Sequence, residues 1–192
     1  MEQLKLIQLV VDKIGKLGVP YFITGSIASS YYGIPRYTHD IDVVVAISEE
    51  DSGEIIRFFS GEGYIGREGI NDALWGTGMF NFIHTETGLK VDFWIDRGEP
   101  FTKSCFARAR QVELTEGFWA MMASPEDVLL HKVYWDKLMP SERQLRDARG
   151  VIAVQEGKLD MVYIEEWAGK LGIEQSMKKI LSERRLPNEE GV

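Results

Sequence analysis

The stretch that decides the fold is Gly25 Ser26 Ile27 Ala28 Ser29 Ser30 Tyr31 Tyr32 Gly33 Ile34 Pro35 Arg36 Tyr37 Thr38 His39 Asp40 Ile41 Asp42 Val43 Val44 Val45. Its last six residues end in the β-branched run of a buried strand. The stretch follows a short apolar run, Tyr21, Phe22, Ile23, that breaks at Thr24, Gly25 and Ser26; after the break, Ile27 to Tyr32 predict a brief helix ending near Gly33 and Pro35. The reading is strand, tight turn, helix, strand. Side chains on a strand alternate faces, so Asp40 and Asp42 present two carboxylates side by side. Like charges this close raise one pKa unless a cation neutralises them, and a divalent metal with oxygen ligands does so.

Before this stretch, Leu4, Ile7, Val10, Val11, Ile14 and Leu17 recur at spacings of three and four with Lys5, Asp12, Lys13 and Lys16 between them, which predicts an amphipathic helix. After it, Ser48 and Asp51 are placed to cap a helix carrying Ile55, Ile56, Phe58 and Phe59. Residues 79–84 and 89–95 alternate around Thr85 to Gly88 and predict a β-hairpin, and residues 111–122 predict one or two further short strands. From Ser124 the chain turns helical. Ser124 is an N-cap, Pro125 suits the first helical position, and Val128, Leu129, Leu130, Val133, Tyr134 and Leu138 supply an apolar face. A further helix begins near Glu142, and two more are placed at residues 160–170 and 173–184.

Within the hairpin, Asp92 lies between Val91 and Phe93 on a predicted strand, with Lys90 and Trp94 as its same-face companions. Three carboxylates near strands suggest a Mg²⁺ site. The turn Thr24, Gly25, Ser26 leads straight into a helix, and a helix N-terminus with a glycine allowing close backbone approach suits a phosphate. Phosphate plus Mg²⁺ implies a nucleotide. An Asp-x-Asp alone is more often a turn and cap than a metal site; what favours the site is the order of turn, helix, Asp pair on a strand, and lone Asp on a later strand.

The run from Gly25 to Val43 resembles the signature of the nucleotidyltransferase (DNA polymerase β-like) superfamily, and within it the minimal nucleotidyltransferases and the AbiEii-type toxin group, where Gly-Gly or Gly-Ser precedes Arg-x-Thr-x-Asp-h-Asp with h apolar. The resemblance implies that Gly25 and Ser26 hold the triphosphate of an NTP. It implies that Asp40 and Asp42 bind Mg²⁺, two ions in the family mechanism with Mn²⁺ as an alternative, and that Asp92 is the third carboxylate and helps to activate an acceptor hydroxyl. Ser124, Pro125, Glu126, Asp127 and Lys132 match a helix that often follows the catalytic core in this family. Arg36 and Lys132 become candidates for steadying the β- and γ-phosphates. Where AbiEii-like chains tend to carry Arg-Asp-x-x-Asp, this one has Arg146 Asp147 Ala148 Arg149 Gly150.

The expected fold is α/β (α+β): a mixed, mostly antiparallel sheet in a catalytic core of residues 1–122, a helical region of residues 123–186 packed on it, and a disordered tail at 187–192. The expected reaction is transfer of a nucleoside monophosphate from an NTP to a hydroxyl with release of pyrophosphate. A catalytically silent nucleotide-binding or toxin–antitoxin component on the same fold is the rival from another class. A phosphohydrolase using the Asp pair gives Gly25 and Ser26 no role.

Composition sets the outer bounds. The 192 residues are 44% hydrophobic and 27% charged, with 22 Lys and Arg against 30 Asp and Glu, a net charge of −8. No apolar run is long enough for a membrane span, Cys105 has no partner for a disulfide, and the first residues lack the basic and apolar stretches of a secretory signal, so a reducing cytoplasm is the expected compartment. The acidic balance and the lack of a dense Lys/Arg tract favour a small molecule or a protein side chain over tRNA as the hydroxyl acceptor. Lys132, Lys137, Arg143, Arg146 and Arg149, diluted by Asp136, Glu142 and Asp147, are expected to form a solvated helix face. Cys105 is expected in the core. The tryptophans are expected as core or packing residues, except Trp75, whose glycine-bearing loop could cover a nucleobase.

Overall fold

The computed structural model describes residues 2–183 and separates into two compact units. One comprises residues up to Thr24 and Thr38–Met122; the other comprises Gly25–Tyr37 and the chain from Ala123. Gly25–Tyr37, which the sequence places inside the first segment, therefore groups with the C-terminal helices. The tail read at 187–192 lies outside the described residues. No helix among the described residues is long and apolar enough to cross a membrane.

The first unit holds a seven-stranded sheet of β1 (Tyr21–Thr24), β2 (Asp40–Val45), β3 (Gly63–Ile65), β4 (Met79–His84), β5 (Lys90–Ile95), β6 (Arg110–Thr115) and β7 (Phe118–Met122), ordered β3-β4-β5-β2-β1-β7-β6. Two pairings, β2 with β5 and β1 with β7, are parallel, and the other four are antiparallel. The hairpin and the two short strands stand where the alternation put them. One face of the central strands is apolar through Ile41, Val43, Val45, Val91 and Phe93, all buried. That face meets α1 (Glu2–Leu17) and α3 (Ser52–Phe59): Phe59 packs edge-on against Phe82 at 4.9 Å and Phe93 at 5.6 Å, and Ile14 and Leu17 line the same apolar gap. Helix α3 starts at the expected place, but Asp51 does not cap it. Its carboxylate accepts instead from the backbone N–H of Ser48 at 2.7 Å and the Ser48 hydroxyl at 2.9 Å.

Four elements of this unit lack a clear sequence signal: β3, α4 (Arg67–Asp72), a π-helical turn at Ala73–Thr77, and α5 (Pro100–Arg108), whose Cys105 is buried as expected. Trp75 stands on the π-helical turn and is exposed. Trp119 and, in the second unit, Trp135 are exposed and so lie outside the core.

The second unit contains α2 (Gly25–Tyr32), α6 (Pro125–Leu138), α7 (Glu142–Val154), α8 (Met161–Leu171) and α9 (Glu174–Ser182). Helix α6 begins as its sequence predicts, with Ser124 Oγ accepting from the Asp127 N–H at 3.2 Å and Pro125 in the first turn. Its acidic first turn is nonetheless buried. Asp127 is held there by the Ser124 and Tyr163 hydroxyls at 2.7 and 2.6 Å, and Glu126 accepts from the N–H of Asp160. At the far end Leu138, assigned to the apolar face, is exposed, and Lys132, which the apolar pattern did not include, is buried.

Gly33 lets α2 and α7 approach closely, because a Cβ there would stand 2.7 Å from the Val151 nitrogen. Gly150, at the position where the related motif carries a second acid, faces the backbone nitrogen of Ile34; an added Cβ would lie 3.2 Å away.

Candidate active site

The sheet's non-core face carries the acids. Asp42 pairs with Asp92 and Asp40 with Lys90 across the parallel β2–β5 ladder, so all four side chains project from one face. Two more register partners join them: Asn81 opposite Asp92 on β4, and Thr24 opposite Asp42 on β1. A mid-sheet strand tolerates this acidity because its alternate residues are the core of the other face.

Lys90 Nζ lies 2.9 Å from Asp92 Oδ2 and 3.6 Å from Asp40 Oδ1. The Asn81 side-chain amide donates to the other oxygen of Asp92. Trp94 Nε1 donates to Asp42 Oδ1 at 3.2 Å. Asp92 is buried, while the side chain of Asp40 is 52% exposed and that of Lys90 40%. The hydrogen bond to Asp92, aided by the charges of Asp92 and Asp40, overcomes partial burial and holds Lys90 above the usual lysine range.

Among the described residues no three carboxylate, imidazole or thiolate side chains converge tightly enough to hold an ion as they stand. The donor chemistry still fits a hard divalent cation: three carboxylates on one face, with a hydroxyl, Thr24 Oγ1, that is buried without a hydrogen-bond partner on the strand position opposite Asp42.

The other sequence-derived candidates lie in the second unit. Gly25 heads α2 at φ 62°, a left-handed conformation that a side chain strains, which explains why glycine stands at the turn. Arg36 grips Asp147 with two parallel hydrogen bonds, Nε to Oδ1 at 2.7 Å and Nη2 to Oδ2 at 2.8 Å. Lys132 Nζ adds a contact to Asp147 Oδ2 at 2.9 Å, and Arg36 Nη2 also donates to Ser26 Oγ at 2.7 Å. Burial pushes the Asp147 carboxyl up, but the Arg36 hydrogen bonds and the Lys132 charge outweigh it and hold the group below the usual carboxylate range. The same bond to Asp147 raises Arg36 against the effect of burial.

This corrects the expectation of a solvated face for Lys132 and Asp147, whereas Lys137, Glu142, Arg143 and Arg146 are exposed as expected. Lys132 and Asp147 are buried and paired to each other, with two cations sharing one carboxylate.

The structure thus brings Asp40, Asp42 and Asp92 onto one sheet face, links Arg36 and Lys132 through Asp147, and bonds Ser26 to Arg36. Sequence reasoning missed the parts played by Asn81 and Asp147, and noted Lys90 and Trp94 only as face companions of Asp92. The same period of two that paired Asp40 with Asp42 groups Lys90, Asp92 and Trp94. Asp147 had a signal too, since the helical period sets it in the buried stripe of Ala148 and Val151.

No protein-family model and no curated protein sequence matches this chain. Solved structures do resemble it. Against ANT(2'')-Ia in complex with adenylyl-2''-tobramycin, the TM-score is 0.59 at 15% identity, covering 93% of this chain and 99% of that one. An antigenic nucleotidyltransferase-like protein from Paracoccidioides brasiliensis gives 0.55 at 14% identity, covering 93% and 91%. The lincosamide antibiotic adenylyltransferase LnuA, bound to lincomycin, gives 0.53 at 12% identity, covering 76% and 93%. At such identities the likeness is one of fold, and the fold is that of the nucleotidyltransferases.

Proposed function

We propose that this protein transfers a nucleoside monophosphate from an NTP to a hydroxyl of a small molecule and releases pyrophosphate. The observation that carries this reading is the set of three carboxylates, Asp40, Asp42 and Asp92, on one face of two adjacent strands in a nucleotidyltransferase fold. In this reading Asp40, Asp42 and Asp92 hold Mg²⁺, two ions or their Mn²⁺ counterparts. A metal held there would supply positive charge at the α-phosphate and would lower the pKa of the attacking hydroxyl. Asp92 takes up the hydroxyl proton as the acceptor oxygen bonds to the α-phosphorus and the bond to the β-phosphate oxygen breaks.

Gly25 and Ser26 bind the triphosphate, through backbone N–H groups whose approach no side chain blocks and through the Ser26 hydroxyl. Arg36 is the phosphate-steadying cation of this set. Its guanidinium, fixed by Asp147, already donates to Ser26 Oγ. Lys132 acts one step further back, as the second cation on Asp147. A small hydroxyl-bearing acceptor is in keeping with the net charge of −8 and with the antibiotics named in two of the similar structures; a protein side chain and tRNA are the other acceptors to be compared.

The test is a pyrophosphate-release assay with each NTP, Mg²⁺, and separate pools of aminoglycoside-type small molecules, protein extract and tRNA. The expected result is metal-dependent pyrophosphate with label in the small-molecule pool, lost in Asp42→Asn. Orthophosphate release would identify a hydrolase. A second reading, a nucleotide-binding or toxin–antitoxin component without catalysis, draws on the contacts of Lys90 with Asp40 and Asp92, where an internal cation already meets two of the acids. Nucleotide binding with neither product would favour it.

A further inference from the structure

We infer that Lys90 is the resident counterion of the carboxylate face: its ammonium bridges Asp40 and Asp92 before a divalent cation arrives and competes with that cation for the same oxygens. The inference rests on the metal-binding part of the function proposed above.

Three observations carry it. First, the ammonium sits on Asp92 Oδ2 at 2.9 Å and within 3.6 Å of Asp40 Oδ1, two carboxylates from adjacent strands that no other described cation bridges. Second, Asn81 donates to Asp92 and Trp94 to Asp42, both neutral donors, while Lys90 brings a positive charge into direct contact with two of the acids. Three carboxylates and one ammonium leave a net charge of −2, which a single divalent ion balances. Third, the side chain of Lys90 is 40% exposed on a long flexible stem, so the ammonium can leave for solvent without breaking the core.

These features give the lysine two opposed effects. In the metal-free protein it offsets repulsion among Asp40, Asp42 and Asp92. Toward Mg²⁺ it is a repelling charge a few ångström away and an occupant of an oxygen the ion needs. Free Mg²⁺ therefore binds weakly, and the site fills best when the ion arrives with a triphosphate that brings further oxygen ligands.

The experiment compares the full chain with Lys90→Met, Lys90→Gln, Lys90→Arg and Asp42→Asn, using titration calorimetry with magnesium chloride at matched ionic strength and thermal unfolding with and without the salt. Removing the ammonium in Lys90→Met or Lys90→Gln is expected to tighten Mg²⁺ binding about tenfold, the size of one charge repelling a doubly charged ion at this range through partly aqueous surroundings. The same variants should melt about 2 °C lower without metal and regain the difference when Mg²⁺ is added. Lys90→Arg keeps the charge and should behave as the parent.

Equal or weaker Mg²⁺ binding in both neutral variants, or an arginine variant that behaves like the neutral ones, overturns the role of Lys90 while parental binding that is lost in Asp42→Asn leaves the metal site standing. Failure of the parent and of the neutral variants alike to bind Mg²⁺ overturns both.

Discussion

The two charge clusters of this protein are built on opposite plans. In the first unit, Asp40, Asp42 and Asp92 share one ammonium, and that ammonium reaches solvent. In the second, Arg36 and Lys132 share one carboxylate, and Asp147 and Lys132 are buried. A cluster short of positive charge, with an exposed and displaceable counterion, is suited to taking up a cation. A buried cluster with excess positive charge and short bidentate geometry is suited to holding its own parts rigid and presenting the remaining charge to an anion. The difference teaches that carboxylates of the same chemistry serve as ligands in one setting and as structural anchors in the other, according to which charge is scarce and how much water reaches it.

The strongest way to break the comparison is at the acid-rich cluster. Asp42→Asn is expected to lower Mg²⁺-dependent nucleotide turnover about a thousandfold, about 4 kcal/mol in the barrier, while leaving the metal-free fold as stable as before or slightly more so, because a repelling charge is gone. Pyrophosphate release and thermal unfolding measured on one preparation check both halves.

The opposite result is expected at the other cluster. Asp147→Ala leaves Arg36 and Lys132 without their shared partner and should cost about 3 kcal/mol of stability, at the low end for a broken buried pair because 22% of the Arg36 side chain still meets water. Urea unfolding reads this directly. Acid sharpens it. Asp147 is held below its unfolded pKa, so its contribution is complete above about pH 4 and is lost as the pH falls through the depressed folded value. The gap in urea midpoint between the parent and Asp147→Asn should accordingly be full at pH 6 and shrink on approaching pH 2.

Two smaller changes test how tightly the second cluster is framed. Gly33→Ala puts a Cβ 2.7 Å from the backbone of α7, the helix that carries Asp147, and should destabilise by about 2 kcal/mol through overpacking. The smallest effect is expected from Ser26→Ala, which removes one acceptor of Arg36 and, in the proposed function, one phosphate contact. It should weaken NTP affinity by about 1 kcal/mol with little change in melting temperature, as calorimetry on the two proteins would show.

Much of the fold was legible because its signals are local. A period of two set Asp40 beside Asp42 and grouped Lys90, Asp92 and Trp94; a period of three to four gave α1; Ser124 and Pro125 marked the start of α6. Helix α5 was harder to see because its apolar residues are few, Phe101 and Cys105 being the buried ones. The candidate site was legible as three carboxylates and a Gly-Ser turn, with Lys90 and Trp94 visible as face companions of Asp92 but not their contacts with Asp40 and Asp42, and Asn81 not at all.

What the sequence determined by itself is which way side chains point within one element, since the backbone period depends on residues a few positions apart. Which elements become neighbours is another matter. The pairing of Asp42 with Asp92 joins strands 50 residues apart in the chain, and Arg36 reaches Asp147 across 111 residues. Such contacts follow from how the sheet orders its strands and how the helices bury their apolar stripes together, a choice made by the packing of the whole chain. Only the tertiary structure could therefore decide that Lys90 meets two acids on one sheet face, and that Asp147, one charge among many on a helix, is the buried partner of Arg36 and Lys132.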